Sequence, residues 1–420
     1  MNPDRTVTVF PSVLEGSIDV PTSKSLTHRA LIAAALAKGT STISNVVFSD
    51  DIIATIDALR QIGAKIETNE DQVIIKGVRH IKAPQKAVDC KESGSTLRFL
   101  IPILALSNKP VTFTGAPSLL QRPLSVYESL AYQDGIRFDR TQDGIVLDAS
   151  FKGGNYHIDG GISSQFFTGL MFALPLLDTD TYLTIDGTLE SKSYIDLTID
   201  LLSRYGIEID VLENGYFIEG NQRYKPHDYT VEGDYSQAAF FLVGGILNGA
   251  ITLHNLPHES LQGDREIIEF IKQMKGQIIY TEDGFTANRS STRSATIDLS
   301  NCPDLGPIVA LLGSLSKGTT RLIGASRLRL KESDRIASTV TTLSQLGANI
   351  KADGDVIVIQ GKQRLQGGTV DSFNDHRIAM MAAIAALACK SPVTITRAGA
   401  VSKSYPHFFD DFVKLGGSIQ

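Results

Sequence analysis

The sequence predicts an α/β protein assembled from six copies of one strand-helix-strand-helix-strand-strand module, and three observations carry that prediction. First, a phrase of an aliphatic residue, an acid and a small polar turn recurs at Ile18-Asp19, Val88-Asp89, Ile158-Asp159, Val231-Glu232, Ile297-Asp298 and Val370-Asp371. The copies stand roughly 70 residues apart, the signature of a repeat architecture. Second, each phrase leads into a run of small apolar residues too rich in Ala, Leu, Ile and Gly to face water, which predicts a buried helix packed against its equivalents. Third, a strand, an amphipathic helix and a hairpin follow each run.

In the first copy the apolar run over 29–37 is the buried helix, with Lys38-Gly39 as a basic last turn and a glycine stop. Residues 40–46 follow as a strand. Ile52, Ile53, Ile56, Leu59 and Ile62 place an amphipathic helix over about 51–62, stopped by Gly63. Residues 64–67 and 73–75 close the copy as a hairpin. The fifth copy repeats the order with 308–315, 319–323, a helix over 333–346, and strands at 347–350 and 356–359. The other buried helices are predicted to start near Thr96, Phe166, Gln237 and Ile378.

Six modules can form one ring or two groups of three, and composition does not choose. The strand over 7–20 precedes the first helix and has no module of its own, so it is predicted to complete the last module. One domain is then continuous over 20–231, and the other, 1–19 with 232–420, is assembled from both chain ends. The chain crosses near Val20-Pro21 and near Glu232-Gly233, and two crossings invite a hinge.

The 420 residues, 42% hydrophobic and 20% charged, suffice for two domains. With a net charge of −6 and scattered Lys and Arg, a nucleic-acid partner is not expected. Cys90, Cys302 and Cys389 lack metal-ligand spacing and fit a reducing compartment. The start lacks the basic and apolar regions of a signal peptide. Apolar stretches such as 166–177 are too short for a bilayer, so a soluble cytoplasmic protein is expected.

If the buried helices share an orientation, their N-termini open on one side and offer free N–H groups to an anion. Ser163, Asp234 and Asp375 also read as ordinary N-caps, and both readings stay open. Cations there oppose the helix dipole: Lys24 and Arg29 in the first copy, Arg98 in the second, His376-Arg377 in the last. A second series accompanies the amphipathic helices: Gln121-Arg122-Pro123, Ser191-Lys192-Ser193-Tyr194, Lys331-Glu332-Ser333-Asp334-Arg335 and Ser402-Lys403-Ser404-Tyr405-Pro406. Lys331 and Arg335 are predicted on one helical face, where they repel unless an anion lies between them, supplied by Glu332, Asp334 or a substrate. A substrate carrying phosphate and carboxylate would use the whole set. Asp304 and Glu332 are the candidate acid and base, with Asp304 also readable as a helix cap. Gly233-Asp234-Tyr235-Ser236 offers no substrate ligand and is assigned to the hinge. No nucleophilic Cys or Ser arrangement, Walker lysine loop or dinucleotide glycine fingerprint stands out.

In order and spacing, Ser23-Lys24-Ser25 with Arg29, Ser93-Gly94 with Arg98, Gln121-Arg122-Pro123, Ser163-Ser164-Gln165, Ser191-Lys192-Ser193-Tyr194, Pro303-Asp304, Lys331-Glu332-Ser333-Asp334-Arg335, Asn374-Asp375-His376-Arg377 and Lys403 resemble the 5-enolpyruvylshikimate-3-phosphate synthases. The resemblance runs from Val20 to Ser404. It implies a two-domain inside-out α/β barrel of the enolpyruvyl transferase kind, three βαβαββ modules per domain, with the active site in the interdomain cleft. It implies transfer of the enolpyruvyl group of phosphoenolpyruvate to the 5-hydroxyl of shikimate 3-phosphate, on the way to chorismate and the aromatic amino acids, by a monomer with no cofactor and no metal.

By the same resemblance, Lys24, Ser25, Arg29, Ser163, Ser164, Gln165, Ser191, Tyr194, Asp304, Arg327 and Lys331 would hold shikimate 3-phosphate. Lys24, Gly94, Arg122, Gln165, Arg335, His376, Arg377 and Lys403 would hold phosphoenolpyruvate. Asp304 would take the hydroxyl proton, and Glu332 with Lys24 would protonate the methylene carbon. Glu92, Phe99 and Arg327 depart from the Asn, Pro and Asn of many relatives. Gly94 remains glycine, so no side chain there bars glyphosate, which takes the phosphoenolpyruvate place in the family. The related transferase acting on UDP-N-acetylglucosamine carries a reactive Cys in the second module's loop; here 115–123 holds none.

Overall fold

The computed structural model describes residues 4–420, and within them the repeat becomes six four-stranded sheets. All but the last share one plan, which the third module shows. The phrase strand Gly154–Asp159 runs parallel to Thr181–Asp186, which pairs antiparallel with Gly215–Ile218, and Asp210–Leu212 forms the edge. A helix joins the first two strands, and such a crossover makes parallel pairing the natural outcome.

The buried helices are Lys24–Leu36, Gly94–Ala105, Ser164–Ala173, Tyr235–Asn248, Gly306–Ser314 and His376–Ala385. Those of copies two, three, four and six begin two residues before their predicted starts. In five of the six the residue before the first turn caps it: Ser23, Ser93, Ser163, Asp234 and Asp375 each accept a hydrogen bond from the helix's own N–H groups. The first helix ends at Leu36, with Ala37 extended, so Lys38 lies outside its last turn and Gly39, at φ +150°, turns the chain into the next strand. Pro102 inside Gly94–Ala105 has no N–H for the Arg98 carbonyl one turn back. The Tyr127 hydroxyl donates to that carbonyl at 2.6 Å instead.

The chain divides into two compact units, the described part of Met1–Pro21 with Glu232–Gln420, and Thr22–Val231. Each has its own apolar core. In the first, helices Tyr235–Asn248, Gly306–Ser314 and His376–Ala385 touch pairwise; in the second, Gly94–Ala105 packs along Ser164–Ala173.

The predicted N-terminal strand is two strands, because Pro11 interrupts the ladder. Val7–Phe10 does enter the last module's sheet, between Val393–Thr396 and Ser418–Ile419. Leu14–Asp19 instead runs parallel to Gly249–His254 and completes the fourth module. Conversely, Tyr229–Thr230, just before the fourth phrase, runs parallel to Thr40–Ser44 and completes the first module. The first and fourth phrases have thus exchanged sheets, and the chain passes between units just after the first, following Pro21, and within the fourth, following Val231.

Candidate active site

In the unit Thr22–Val231 the predicted residues gather at the starts of the buried helices. Lys24 opens the first helix, and its ammonium lies 2.8 Å from Asp51 Oδ2 on the neighbouring helix Asp50–Gln61. Arg29, one turn in and buried, is held by four oxygens: Nε donates to Thr198 Oγ1 at 2.8 Å, Nη1 to the Ser25 carbonyl at 2.8 Å, and Nη2 to Tyr194 O at 3.0 Å and Thr168 Oγ1 at 3.3 Å. Its guanidinium also lies over the Phe99 ring, 5.2 Å from the centroid. Phe99 thereby gives this cation an aromatic face. Each of these four bonds ends on a neutral oxygen, and burial lowers the Arg29 pKa to about 10. A buried guanidinium so surrounded is set up to receive an anion.

Gly94, Arg122 and Gln165 meet in the same unit. A Cβ on Gly94 would stand 2.8 Å from Arg122 Nη1 and 3.8 Å from Gln165 Oε1, so glycine is what lets the guanidinium approach the helix start. Arg98 Nη1 donates to Gln165 Oε1 at 2.7 Å, and Gln165 Nε2 donates to Ser95 Oγ at 3.0 Å. Ser163 caps the helix through the Gln165 N–H, with Ser164 buried as its first residue. Ser191 is in the left-handed region, φ 55°, as it starts helix Lys192–Arg204. Holding a serine there is strained, a frequent mark of a functional turn.

The other unit gathers the acid–base candidates. Asp304 stands in the short turn Pro303–Leu305 ahead of a buried helix and makes no side-chain cap to it, because its oxygens are taken by cations. Oδ1 lies 3.0 Å from Lys331 Nζ and 2.9 Å from Arg335 Nη1, and Oδ2 lies 2.9 Å from Arg377 Nη2. Arg335 also donates to Glu332 Oε2 and, from Nε at 2.7 Å, to buried Asp375. Lys331 and Arg335 do not share a helix face as predicted. The helix starts at Arg335 behind the Asp334 cap, and Lys331 is extended. The anion between the two cations is Asp304, from another module. Lys403 donates to the Asn374 carbonyl at 2.6 Å, while Arg327 and His376 are buried.

Burial pushes the Asp304 carboxyl up, yet Arg377, Lys331 and Arg335 together hold it well below the usual carboxylate range. Burial pushes the Lys331 ammonium down against the pull of Asp304. For Arg335, burial is outweighed by Asp375, Glu332 and Asp304, which raise it. The site thus contains an ionised carboxylate, and anions bound to its cations would strengthen it as a base.

Sequence reasoning passed over Asp51, Thr168, Thr198 and Ser236, and saw Asp375 only as a possible cap. An acidic pair opening an amphipathic helix looks like ordinary dipole compensation, so Asp51 gave no separate signal. Ser236 was assigned to the hinge. In the structure its carbonyl and hydroxyl both receive Arg377.

Six four-stranded sheets with their buried helices, in two units joined by two crossings, define the enolpyruvyl transferase fold. Over 99% of the chain the fold superimposes on EPSP synthase from Acinetobacter baumannii, covering 99% of it, with TM-score 0.81 and 26% identity. It also matches the enolpyruvyl transferase NikO from Streptomyces tendae, with TM-score 0.80, 17% identity, and 99% and 98% of the two chains covered. Residues 10–412 match the family model of EPSP synthase (3-phosphoshikimate 1-carboxyvinyltransferase), and the chain belongs to that family. It is 47% identical to the 3-phosphoshikimate 1-carboxyvinyltransferase of Clostridium novyi and 45% identical to that of Clostridium kluyveri, with 98% of every chain covered. No helix among the described residues is long and apolar enough to cross a membrane.

Proposed function

We infer that this chain transfers the enolpyruvyl group of phosphoenolpyruvate to the 5-hydroxyl of shikimate 3-phosphate, giving 5-enolpyruvylshikimate 3-phosphate and phosphate. The observation that carries the chemistry is Asp304 among Lys331, Arg335 and Arg377, a base already surrounded by the cations an anionic co-substrate needs. Asp304 takes the hydroxyl proton as the oxygen attacks C2 of phosphoenolpyruvate, and Glu332 with Lys24 delivers a proton to C3. The tetrahedral ketal phosphate then loses phosphate and a C3 proton. Fixed cations stabilise its charge, and positioning supplies most of the rest.

Arg29, Ser25, Ser163, Ser164, Ser191, Tyr194, Arg327 and Lys331 hold shikimate 3-phosphate. Gly94, Arg122, Arg335, His376, Arg377 and Lys403 hold phosphoenolpyruvate, and Lys24 and Gln165 stand near both. Three buried, unpaired cysteines fit the cytoplasm.

Phosphate release is the test. Phosphoenolpyruvate with shikimate 3-phosphate should release phosphate, and phosphoenolpyruvate with UDP-N-acetylglucosamine should not. Release only with the nucleotide sugar would transfer the assignment to the related transferase, and release with neither would overturn it.

A further inference from the structure

The geometry points to a role for the fourth module, whose motif supplies no substrate ligand: Ser236 is a positioning residue that aims Arg377 at phosphoenolpyruvate. Asp234 Oδ1 accepts the N–H groups of Ser236 and Gln237 at 2.9 and 3.2 Å, which is all that capping needs. It also accepts the Ser236 hydroxyl at 2.5 Å. With its proton committed to Asp234, Ser236 Oγ is left as an acceptor, and Arg377 Nη2 donates to it at 2.9 Å. The Ser236 carbonyl takes Nη1 of the same guanidinium at 3.3 Å, and Asp304 Oδ2 takes the second Nη2 hydrogen at 2.9 Å.

Arg377 is thereby fixed at both terminal nitrogens while its buried Nε–H finds no acceptor in the protein. Leaving a charged donor unsatisfied in a residue only 3% exposed is unfavourable unless a ligand completes it. The bland alternative is that Ser236 is merely a small residue in a capped first turn. That would explain its backbone N–H contact with Asp234 and leave the hydroxyl's bridge to Arg377 without a purpose.

The inference rests on the assignment of Arg377 to phosphoenolpyruvate, and steady-state kinetics of four variants separates the two. Ser236→Ala should raise KM for phosphoenolpyruvate about tenfold, the scale of one hydrogen bond to a charged group. KM for shikimate 3-phosphate should stay within about twofold and kcat should change less than KM. Ser236→Thr, which keeps the hydroxyl, should restore most of the loss. Ser236→Ala with Arg377→Gln should be no worse than Arg377→Gln alone. If Arg377→Gln raises KM for phosphoenolpyruvate but Ser236→Ala lowers only the melting temperature, Ser236 is a capping residue and the inference falls. If Arg377→Gln leaves that KM unchanged, the assignment beneath it falls.

Discussion

At the scale of single residues, the site is held by partners that neutralise or order its cations, and His28 shows the opposite solution. It lies between Lys24 and Arg29 in sequence, is fully buried, and bonds Thr55 Oγ1 through Nδ1 at 2.8 Å, while Nε2 has no partner. Burial first, then Lys24 and Arg29, hold its pKa well below the ordinary 6.5, so the ring stays neutral and adds no third positive charge. In the unfolded chain the same ring takes a proton once the pH falls below about 6.5. The unfolded state then binds more protons, and stability must fall with pH in that window, by up to ~1.4 kcal/mol per pH unit from this group. In His28→Asn the side-chain amide can still reach Thr55, but the titration is gone. Urea unfolding at pH 7 and pH 5 should therefore show a smaller loss of stability in the variant than in the parent. Equal losses would mean that His28 is already protonated in the fold.

At the scale of elements, the exchange of phrase strands depends on close backbone contact. Gly249 opens Gly249–His254 in extended conformation, at φ 179°, and pairs with Leu14. A Cβ there would stand 2.0 Å from the Leu14 carbonyl oxygen. Gly249→Ala should thus push Leu14–Asp19 off its register and destabilise its unit by about 1–3 kcal/mol. Ala250→Ser, exposed on the same strand, should change stability by less than about 0.5 kcal/mol. Urea midpoints for the two variants check this, and equal midpoints would show that the pairing tolerates the clash. The exchange itself was not legible in the sequence. Alternation and glycine stops gave the order of helices and strands in each module, since those signals are local and repeated. A phrase strand, however, looks the same whether it pairs with the module that follows it or with one far along the chain, as Leu14 does with Gly249 and Tyr229 with Ile43. The same limit governed the site. Lys24 and Arg377 were readable as cations against helix dipoles and Asp304 as a candidate acid or base, whereas Asp51, Thr168 and Thr198 are ordinary helix residues whose work appears only when helices pack. Lys331 and Arg335 were misplaced onto one helix because their spacing fits a turn. The Asp334 cap starts the helix only after Lys331.

At the scale of the whole molecule, the proposed reaction divides its labour between units. Thr22–Val231 carries Lys24, Arg29, Arg122 and Gln165, and the other unit carries Asp304, Glu332, Arg335 and Arg377. The units are joined after Pro21 and after Val231, and the two crossings are tied side by side where the Asp234 N–H donates to the Pro21 carbonyl at 2.8 Å. The division predicts different kinetic losses from the two sets. Arg29→Gln, in the unit Thr22–Val231, should raise KM for shikimate 3-phosphate about tenfold with a smaller change in kcat, because it removes a cation proposed to bind that substrate. Asp304→Ala, in the other unit, should mainly lower kcat, because it removes the proposed base. Steady-state kinetics with each substrate varied checks both, and a fall in kcat alone for Arg29→Gln, or a rise in KM alone for Asp304→Ala, would mean that the division of roles between the units has to be redrawn.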